Sequence, residues 1–441
     1  MKPKKTKQQN SSRRNFIRSS ALAGAGFMIV PRHVLGRGYT APSDKLNLAA
    51  IGAGGKGTSD IRNAWNKGKE NVVALCDVDV NRAGESIKKF HNAKLYKDFR
   101  VMLEEMGSEI DAVTISAPDH IHGVAAMDAM QAGIHVYVQT PLTHNIYETR
   151  MLTEGAKKYQ IVSQMGNQGA SHPGQAQMME WFNKGLIGTV HSVYVWTDKP
   201  VNKTATTALG EMGCHLMDPP FRVLGLGNPT EVECSTGQEA KKGRVFKRLQ
   251  QEDSFSSYVK IKFPASAKNK SEVSIVWSDG GIRPAYPNLI PADQESPENT
   301  HGVIMVGEKG LMTCGLYGSD PKVYLPDGEI LTMPEGYSGG NSYTHMPEYG
   351  HHYAWTKAVK AGFNSPEHNA LRSSFDYAGP LNEAVLLGNL AIKSSLLNSK
   401  GKGGKRNYYA RNTFKWDSKN MKVTNFAKAN QFVGRNSWQL T

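Results

Sequence analysis

The first half of the chain alternates short apolar runs with stretches of helical spacing. Leu46 to Ile51 is mostly apolar and reads as a buried strand that runs straight into the turn Gly52-Ala53-Gly54-Gly55-Lys56-Gly57. Thr58 to Trp65 opens a helix, and Asn71 to Cys76 forms a second strand ending at Asp77. Asn81 to His91 has helical spacing, and Tyr96 to Phe99 leads into a helix through Met106. Asp111 to Ser116, Ile134 to Val138 and Gln160 to Met165 read as further strands, separated by helices over Gly123 to Gln131 and Ile146 to Tyr159. Strands that alternate with helices predict crossover units and a parallel sheet.

After Gly166 the pattern changes. Val190 to Thr197, Thr230 to Ser235, Ser254 to Phe263, Glu272 to Ser278, Val303 to Gly307 and Gly310 to Cys314 read as strands. Several alternate and are joined by turns, which predicts a mostly antiparallel sheet with one face covered and one open. Helices are expected over Gly174 to Asn183, Leu216 to Gly225 (broken early by Pro219-Pro220), Ala354 to Ala361 and Asn382 to Ser395. The resulting plan is residues 1–43 as a signal and linker, 44–166 and 167–400 as two domains, and 401–441 as a basic tail packing back on the body. Within it, residues 400–406 form a basic, glycine-rich hinge. An open sheet face also leaves room for a second copy of the chain, a homo-oligomer.

The first turn carries chemistry. Gly52, Gly54 and Gly57 fit G-x-G-x-x-G between strand and helix, and Asp77 follows Gly57 by twenty positions. Gly52 serves the tight turn, Gly54 lets backbone approach a pyrophosphate, and Gly57 lets helix pack on strand. The helix start offers unpaired N–H groups and partial positive charge to phosphates. Asp77 would accept from the adenosine ribose hydroxyls, favouring NAD over NADP. The fold class expected is therefore α/β: an N-terminal Rossmann dinucleotide-binding domain, then a C-terminal α+β domain with an open, mostly antiparallel sheet.

Charge changes the picture only at the ends. The formal net charge is +14 over 441 residues, but residues 1–43 hold nine Lys/Arg and no acid, and residues 400–441 hold ten and one. The body between them is about −4, which argues against a nucleic-acid face. Ser12-Arg13-Arg14-Asn15-Phe16-Ile17-Arg18 is a twin-arginine motif before a short apolar run, Ala21 to Val30. That run is too short for a stable membrane span and reads as an export signal, so the expected location is periplasmic or secreted. Four cysteines without C-x-x-C spacing give no disulfide framework or structural zinc site. His351-His352 invites a metal reading, with Glu348 three positions earlier, but no third ligand has helpful spacing and no metal is expected.

Together, Ala49 to Gly57, Ala74-Leu75-Cys76-Asp77-Val78-Asp79, Ser116 to His122, Val138 to Leu142, Gly210 to Asp218 and Phe375 to Leu381 resemble the Gfo/Idh/MocA family, across nearly all the chain from Leu46 to Trp438. With the export signal, the chain resembles that family's secreted branch. The resemblance implies hydride transfer at carbohydrate or cyclitol carbons. It also implies a cofactor set of Gly52, Gly54, Gly55, Gly57, Asp77, Ser116, Pro118, His122, Gln139 and Pro141.

Gly210 to Asp218 matches the family's substrate motif. If it is helical, Glu211 and His215 lie four apart on one face, and His215 and Asp218 three apart. A histidine with a pKa near ~6.5 can take a proton from a sugar hydroxyl, and nearby carboxylates can orient it. At Gln139-Thr140-Pro141 the family usually has Glu-Lys-Pro, so Thr140 keeps a hydroxyl but loses the charge. Pro141 fits a cis turn that aims residue 140 at the nicotinamide. Three readings follow, in order: His215 transfers the proton alone with Thr140 as hydrogen-bond partner; the enzyme cleaves glycosides by oxidation, elimination and reduction; or it binds without turnover. The catalytic candidates are His215, Glu211 and Thr140. Asp218, His172, Lys199, Tyr286 and His351 are candidate contacts to a small carbohydrate, and His345 and His352 lie in loops that could edge the pocket.

Overall fold

The protein was analysed as a computed structural model, which describes residues 44–199, 207–237, 256–291, 300–334, 350–401, 406–409 and 412–434. Leu46–Thr441 forms one compact unit and Met1–Lys45 another. The twin-arginine segment, His345, Glu348 and Trp438 lie outside the described residues.

Six strands, β1 (Asn47–Ile51), β2 (Asn71–Cys76), β3 (Lys94–Tyr96), β4 (Ala112–Ile115), β5 (His135–Val138) and β6 (Ser163–Met165), pair in parallel in the order β3-β2-β1-β4-β5-β6. Between them run α1 (Lys56–Trp65), α2 (Gly84–Lys89), α3 (Phe99–Met106), α4 (Asp119–Gln131) and α5 (Ile146–Lys158). This is the Rossmann order, with its switch point between β1 and β4. The expected helix at Gly123 starts earlier, at Asp119. Pro118 presets the entry (φ −57°) and Asp119 places an acid in the first turn, where the helix dipole favours it. β3 was not foreseen: three residues, the first two exposed, carry no burial pattern.

The chain continues through α6 (Pro173–Asn183), β7 (Val190–Thr197), α7 (Ala208–Leu216), α8 (Asp218–Leu224), β8 (Glu231–Thr236), β9 (Ser257–Phe263), β10 (Val273–Asp279), β11 (His301–Gly307), β12 (Leu311–Cys314), β13 (Lys322–Tyr324) and β14 (Ile330–Leu331). There follow α9 (His351–Ala361), α10 (Pro366–Asn369), α11 (Phe375–Ser394), the pair β15 (Asn398–Lys400) and β16 (Arg406–Tyr408), then β17 (Phe414–Asp417) and β18 (Lys422–Val423). The second sheet has the order β14-β13-β12-β11-β7-β10-β9-β8-β17-β18. Only the central β7·β10 pair is parallel.

β9 shows why one face is covered: Val259, Ile261 and Phe263 are fully buried, while Tyr258 before them is exposed and Lys260 and Lys262 between them are half-buried. The buried side meets α11, where Gly388 lets the helix approach; a Cβ there would stand 2.4 Å from Leu209 Cδ2 and 3.3 Å from Val259 Cγ1.

Two features depart from the sequence plan. The expected helix Leu216 to Gly225 is two helices: α7 ends at Leu216, and α8 takes both prolines in its first turn, where a missing N–H costs nothing. Helix α9, placed in the second domain, packs instead on the first sheet. Trp355, Ala358 and Val359 share a core with Leu48, Ala50 and Tyr137. The tail does join the body where described, with Phe414 of β17 opposite Val232 of β8.

Candidate active site

The glycine turn is built as its spacing demands. Gly52 has φ +78°, and a Cβ there would lie 2.6 Å from Ala117 N at the β4 end. A Cβ on Gly54 would lie 2.6 Å from Arg82 O, and one on Gly57 only 1.7 Å from Gly52 O. Helix α1 starts from Gly55 with no side-chain cap and no acid in its first turn, a positive helix end that suits a diphosphate; Gly57 N and Thr58 N donate to Gly54 O (3.1 Å) and Gly55 O (3.2 Å). Asp77 Oδ2 accepts from Gly54 N (2.9 Å) and Oδ1 from Asp79 N (3.0 Å). A carboxylate has about four acceptor sites, so Asp77 keeps capacity for ribose hydroxyls. These residues fit a dinucleotide.

Across from the turn, α7 presents two polar groups. Thr207 Oγ1 caps it, accepting from Gly210 N at 2.9 Å. Every residue of α7 is buried except Glu211 and His215, one turn apart. The apolar side packs on α11 through Gly213, whose Cβ would meet Val385 Cγ2 at 2.9 Å. His215 Nε2 lies 3.1 Å from Thr140 Oγ1, beside the cis Thr140–Pro141 bond. Tyr317, at φ +64°, sets its ring edge-on to the imidazole at 5.1 Å. Burial first, then the charges of Lys56 and Lys199, push the His215 imidazole down to about 3. It is a neutral ring, and its buried Nδ1 has no partner among the described residues.

A cleft of about 1000 Å³ joins these groups, lined among others by Lys56, Gln139, Thr140, Lys199, Glu211, His215, Tyr317 and His352. Lys199 Nζ is 2.5 Å from Glu211 Oε1, while Glu211 Oε2 is buried without a partner among the described residues. Behind the cleft, fully buried Asp60 gathers four elements. Its Oδ2 accepts from Ser116 Oγ and Gln139 Nε2, both at 2.8 Å. Its Oδ1 meets Lys56 Nζ and lies 3.0 Å from His352 Nε2. Burial alone would raise this carboxyl, but His352 and Lys56 outweigh it and hold it at about 2. Asp60, Lys56 and Tyr317 were not assigned site roles from sequence, and His352, expected to edge the pocket, does so from the first turn of α9. Lys56 lies inside the fingerprint and Asp60 three residues past it, the one sequence signal that could have pointed to them.

Several expected contacts do not converge here. Asp218 is not on the Glu211–His215 face. It turns inward at the start of α8, where Arg222, Gln175 and Tyr377 hydrogen-bond its carboxylate. His172 caps α6 through Gly174 N at 3.0 Å. Tyr286 lies 6.1 Å from Trp196, lining a separate small pocket on the second sheet with His301 and Tyr324. His351 reaches the cleft wall, but its nitrogens engage Ser171 Oγ (2.9 Å) and Met165 O (2.8 Å), and burial pushes it down to about 3. His122 sits between Pro141 O (2.9 Å) and Ala117 O (2.7 Å), tying two loops together from behind, and burial lowers its pKa. Ser116 and Gln139 are tied together through Asp60, to which both donate. Among the described residues, no cluster of three or more His, Cys, Asp or Glu is placed to hold a metal ion, and the four cysteines are free thiols.

Comparison with known proteins agrees with this architecture. Residues 46–167 match the family described as "Oxidoreductase family, NAD-binding Rossmann fold". The chain is 26% identical over 211 residues to the rhizopine catabolism protein MocA of Rhizobium meliloti (46% of this chain, 64% of that protein). It is 23% identical over 212 residues to the D-glucoside 3-dehydrogenase of Escherichia coli (45% and 59%). It is 23% identical over 199 residues to a glycosyl hydrolase family 109 protein of Shewanella pealeana (40% and 44%). The chain thus spans less than two thirds of each of these relatives. An inositol dehydrogenase homolog from Azotobacter vinelandii, solved with NADH and myo-inositol, superposes with a TM-score of 0.62 over 83% of this chain and 98% of that one, at 14% identity. Residues 46–167 thus match the Gfo/Idh/MocA family of NAD-binding oxidoreductases, and the two-sheet fold of the whole is shared with a solved inositol dehydrogenase homolog.

Proposed function

We propose that the protein is an NAD-linked dehydrogenase that oxidises, or in reverse forms, a secondary alcohol on a sugar, glycoside or cyclitol. The observation that carries this reading is the 3.1 Å contact between Thr140 Oγ1 and His215 Nε2, in one cleft with the start of α1. Bound NAD⁺ would accept the hydride from the carbinol carbon. The protein's own residues then have a proton to move and a sugar to hold. Neutral His215 has a lone pair for the hydroxyl proton, taken directly or through the Thr140 hydroxyl. Glu211 Oε2, buried without a partner among the described residues, is an acceptor for a neighbouring sugar hydroxyl. Asp77 favours NAD over NADP, whose extra phosphate it would repel. In this reading Thr140 stands where the family usually has lysine, so positive charge at the reacting oxygen must come from another element.

The D-glucoside 3-dehydrogenase among the relatives supports a carbohydrate substrate. The glycosyl hydrolase family 109 relative favours one second reading: a transient ketone acidifies the adjacent C–H, the glycosidic bond is eliminated, and the cofactor is regenerated. The twin-arginine motif adds the proposal that the protein is exported folded, carrying its dinucleotide. Mass spectrometry of purified protein should identify bound NAD(H). A panel of glycosides and cyclitols should then give keto product with stoichiometric NADH, and His215→Asn should lower that turnover ~10²–10⁴-fold. Released reducing sugar with no net NADH would transfer the assignment to the second reading. Protein that neither retains nor binds NAD(H) would end both.

A further inference from the structure

Oxidising an alcohol leaves negative charge on its oxygen as the hydride departs, and a cationic donor placed there in advance stabilises that charge. Nothing at Thr140 or His215 supplies one: the first is uncharged and the second is a neutral ring. Of the cations that line the cleft (Lys56, Arg62, Lys67, Lys89 and Lys199), Lys56 and Lys199 are the two whose charge acts on His215.

Lys56 is committed elsewhere. It opens α1 beside the phosphate-binding turn, and its Nζ meets the buried Asp60 carboxylate and Ser59 Oγ (3.2 Å). Lys199 is placed differently, two residues beyond β7. Its Nζ is held by Glu211 Oε1 at 2.5 Å and lies 3.6 Å from Met212 Sδ, and its side chain is 43% exposed. An ammonium has three donors, so these contacts leave one for the cleft; the same count leaves one on Lys56, but its carboxylate partner Asp60 is fully buried behind the cleft, whereas Glu211 lines the cleft itself. Glu211 is one helical turn before His215, which sets anchor and base on the same strip of α7.

We propose that Lys199, held by Glu211, is the cationic donor to the substrate oxygen that is oxidised. The inference rests on the dehydrogenase reading. In the step, the carbinol C–H leaves as hydride with its electron pair to the oxidised nicotinamide dinucleotide. The O–H proton passes to His215 and the C–O bond becomes C=O. Lys199 keeps its own proton throughout and stabilises the oxygen while charge builds.

The test compares wild type, Lys199→Met, Lys199→Arg and the double variant Thr140→Lys/Lys199→Met, with methyl glucosides and myo-inositol as probes. Lys199→Met should lower kcat about 10²–10³-fold while NADH affinity, read by fluorescence, stays within threefold. Lys199→Arg should retain more activity than Lys199→Met. Returning a cation at residue 140 in the double variant should recover at least about tenfold, since the charge is needed rather than the position. Independently of turnover, ring-proton NMR of His215 should show its protonation midpoint rising in Lys199→Met, because a repelling charge has gone. Lys199→Met with near wild-type kcat, with lost NADH binding, or with an unmoved His215 midpoint overturns the assignment, as does a double variant that binds NADH without recovery. If wild type binds NADH but oxidises no probe, the dehydrogenase reading itself fails and takes this inference with it.

Discussion

At the scale of single residues, Gly57 is the most constrained position in the cofactor turn. A methyl group there would lie 1.7 Å from Gly52 O, a backbone atom that cannot swing aside. Gly57→Ala should therefore shift α1 off β1, costing ~1–3 kcal/mol or more and lowering NAD affinity at least tenfold by titration. Gly84, at the start of α2, faces open space: a Cβ there would meet nothing within 4 Å. Gly84→Ala should be neutral or stabilising by ~0.5–1 kcal/mol with unchanged affinity. Equal behaviour of the two variants in thermal melts and NAD titrations would refute the steric account. Residue chemistry in this turn was legible from sequence because its demands are local: backbone conformation and one close approach. Asp218 was not legible. Its spacing from His215 was right for one helical face, but Met217 closes one helix and the carboxylate goes to Arg222, Gln175 and Tyr377. A sequence interval does not say where a helix stops being one helix.

At the scale of elements, α7 and α11 set the position of the site. The small residues Gly213 and Gly388 bring α7 close to α11 and the second sheet, so the only polar strip left on α7 is Glu211 and His215. The far side of α11 is fixed by Glu383. This fully buried carboxylate takes Arg150 Nε at 2.6 Å, Trp416 Nε1 at 2.9 Å and Ser418 Oγ at 3.1 Å. Removing one member of a buried ion pair typically costs ~3–5 kcal/mol because the other charge is left without a partner. Glu383→Ala should therefore lower the unfolding free energy by that order and release β17 first, seen as faster hydrogen exchange at Phe414–Asp417. Unchanged exchange there would show that strand pairing with β8 holds the tail without the carboxylate. The alternation of β9 foretold a covered face. Which helix covered it was decided by Gly388, more than a hundred residues later.

At the scale of the whole molecule, buried histidines couple the fold to pH. His215 and His351 are pushed down to about 3 and His135 to about 4, burial being the first cause in each. Between those values and the ordinary ~6.5, the unfolded chain binds protons that the folded chain refuses, so stability must fall as pH drops through that window. Asp60, held near 2, keeps its contribution until far lower pH and does not offset this. Urea unfolding should show a loss of a few kcal/mol between pH 7 and about 4.5, because each tenfold difference in proton affinity between the two states is worth ~1.4 kcal/mol. A flat profile would mean that these rings protonate in the folded state without cost.

By itself, the sequence determined the strand-and-glycine turn at Leu46–Gly57, the acid at Asp77, the alternation of strand and helix through Met165, and the four-residue interval between Glu211 and His215. Each depends on neighbours within a turn or a short crossover, where spacing alone fixes geometry. Only the tertiary structure decided that α9 returns to the first sheet and sets His352 on Asp60, 292 positions away. It likewise decided that Tyr286 lines another pocket and that Lys199 meets Glu211 beside Thr140 and His215. Those outcomes come from apolar faces and charges finding partners far along the chain, a choice that depends on how all the buried surfaces fit together.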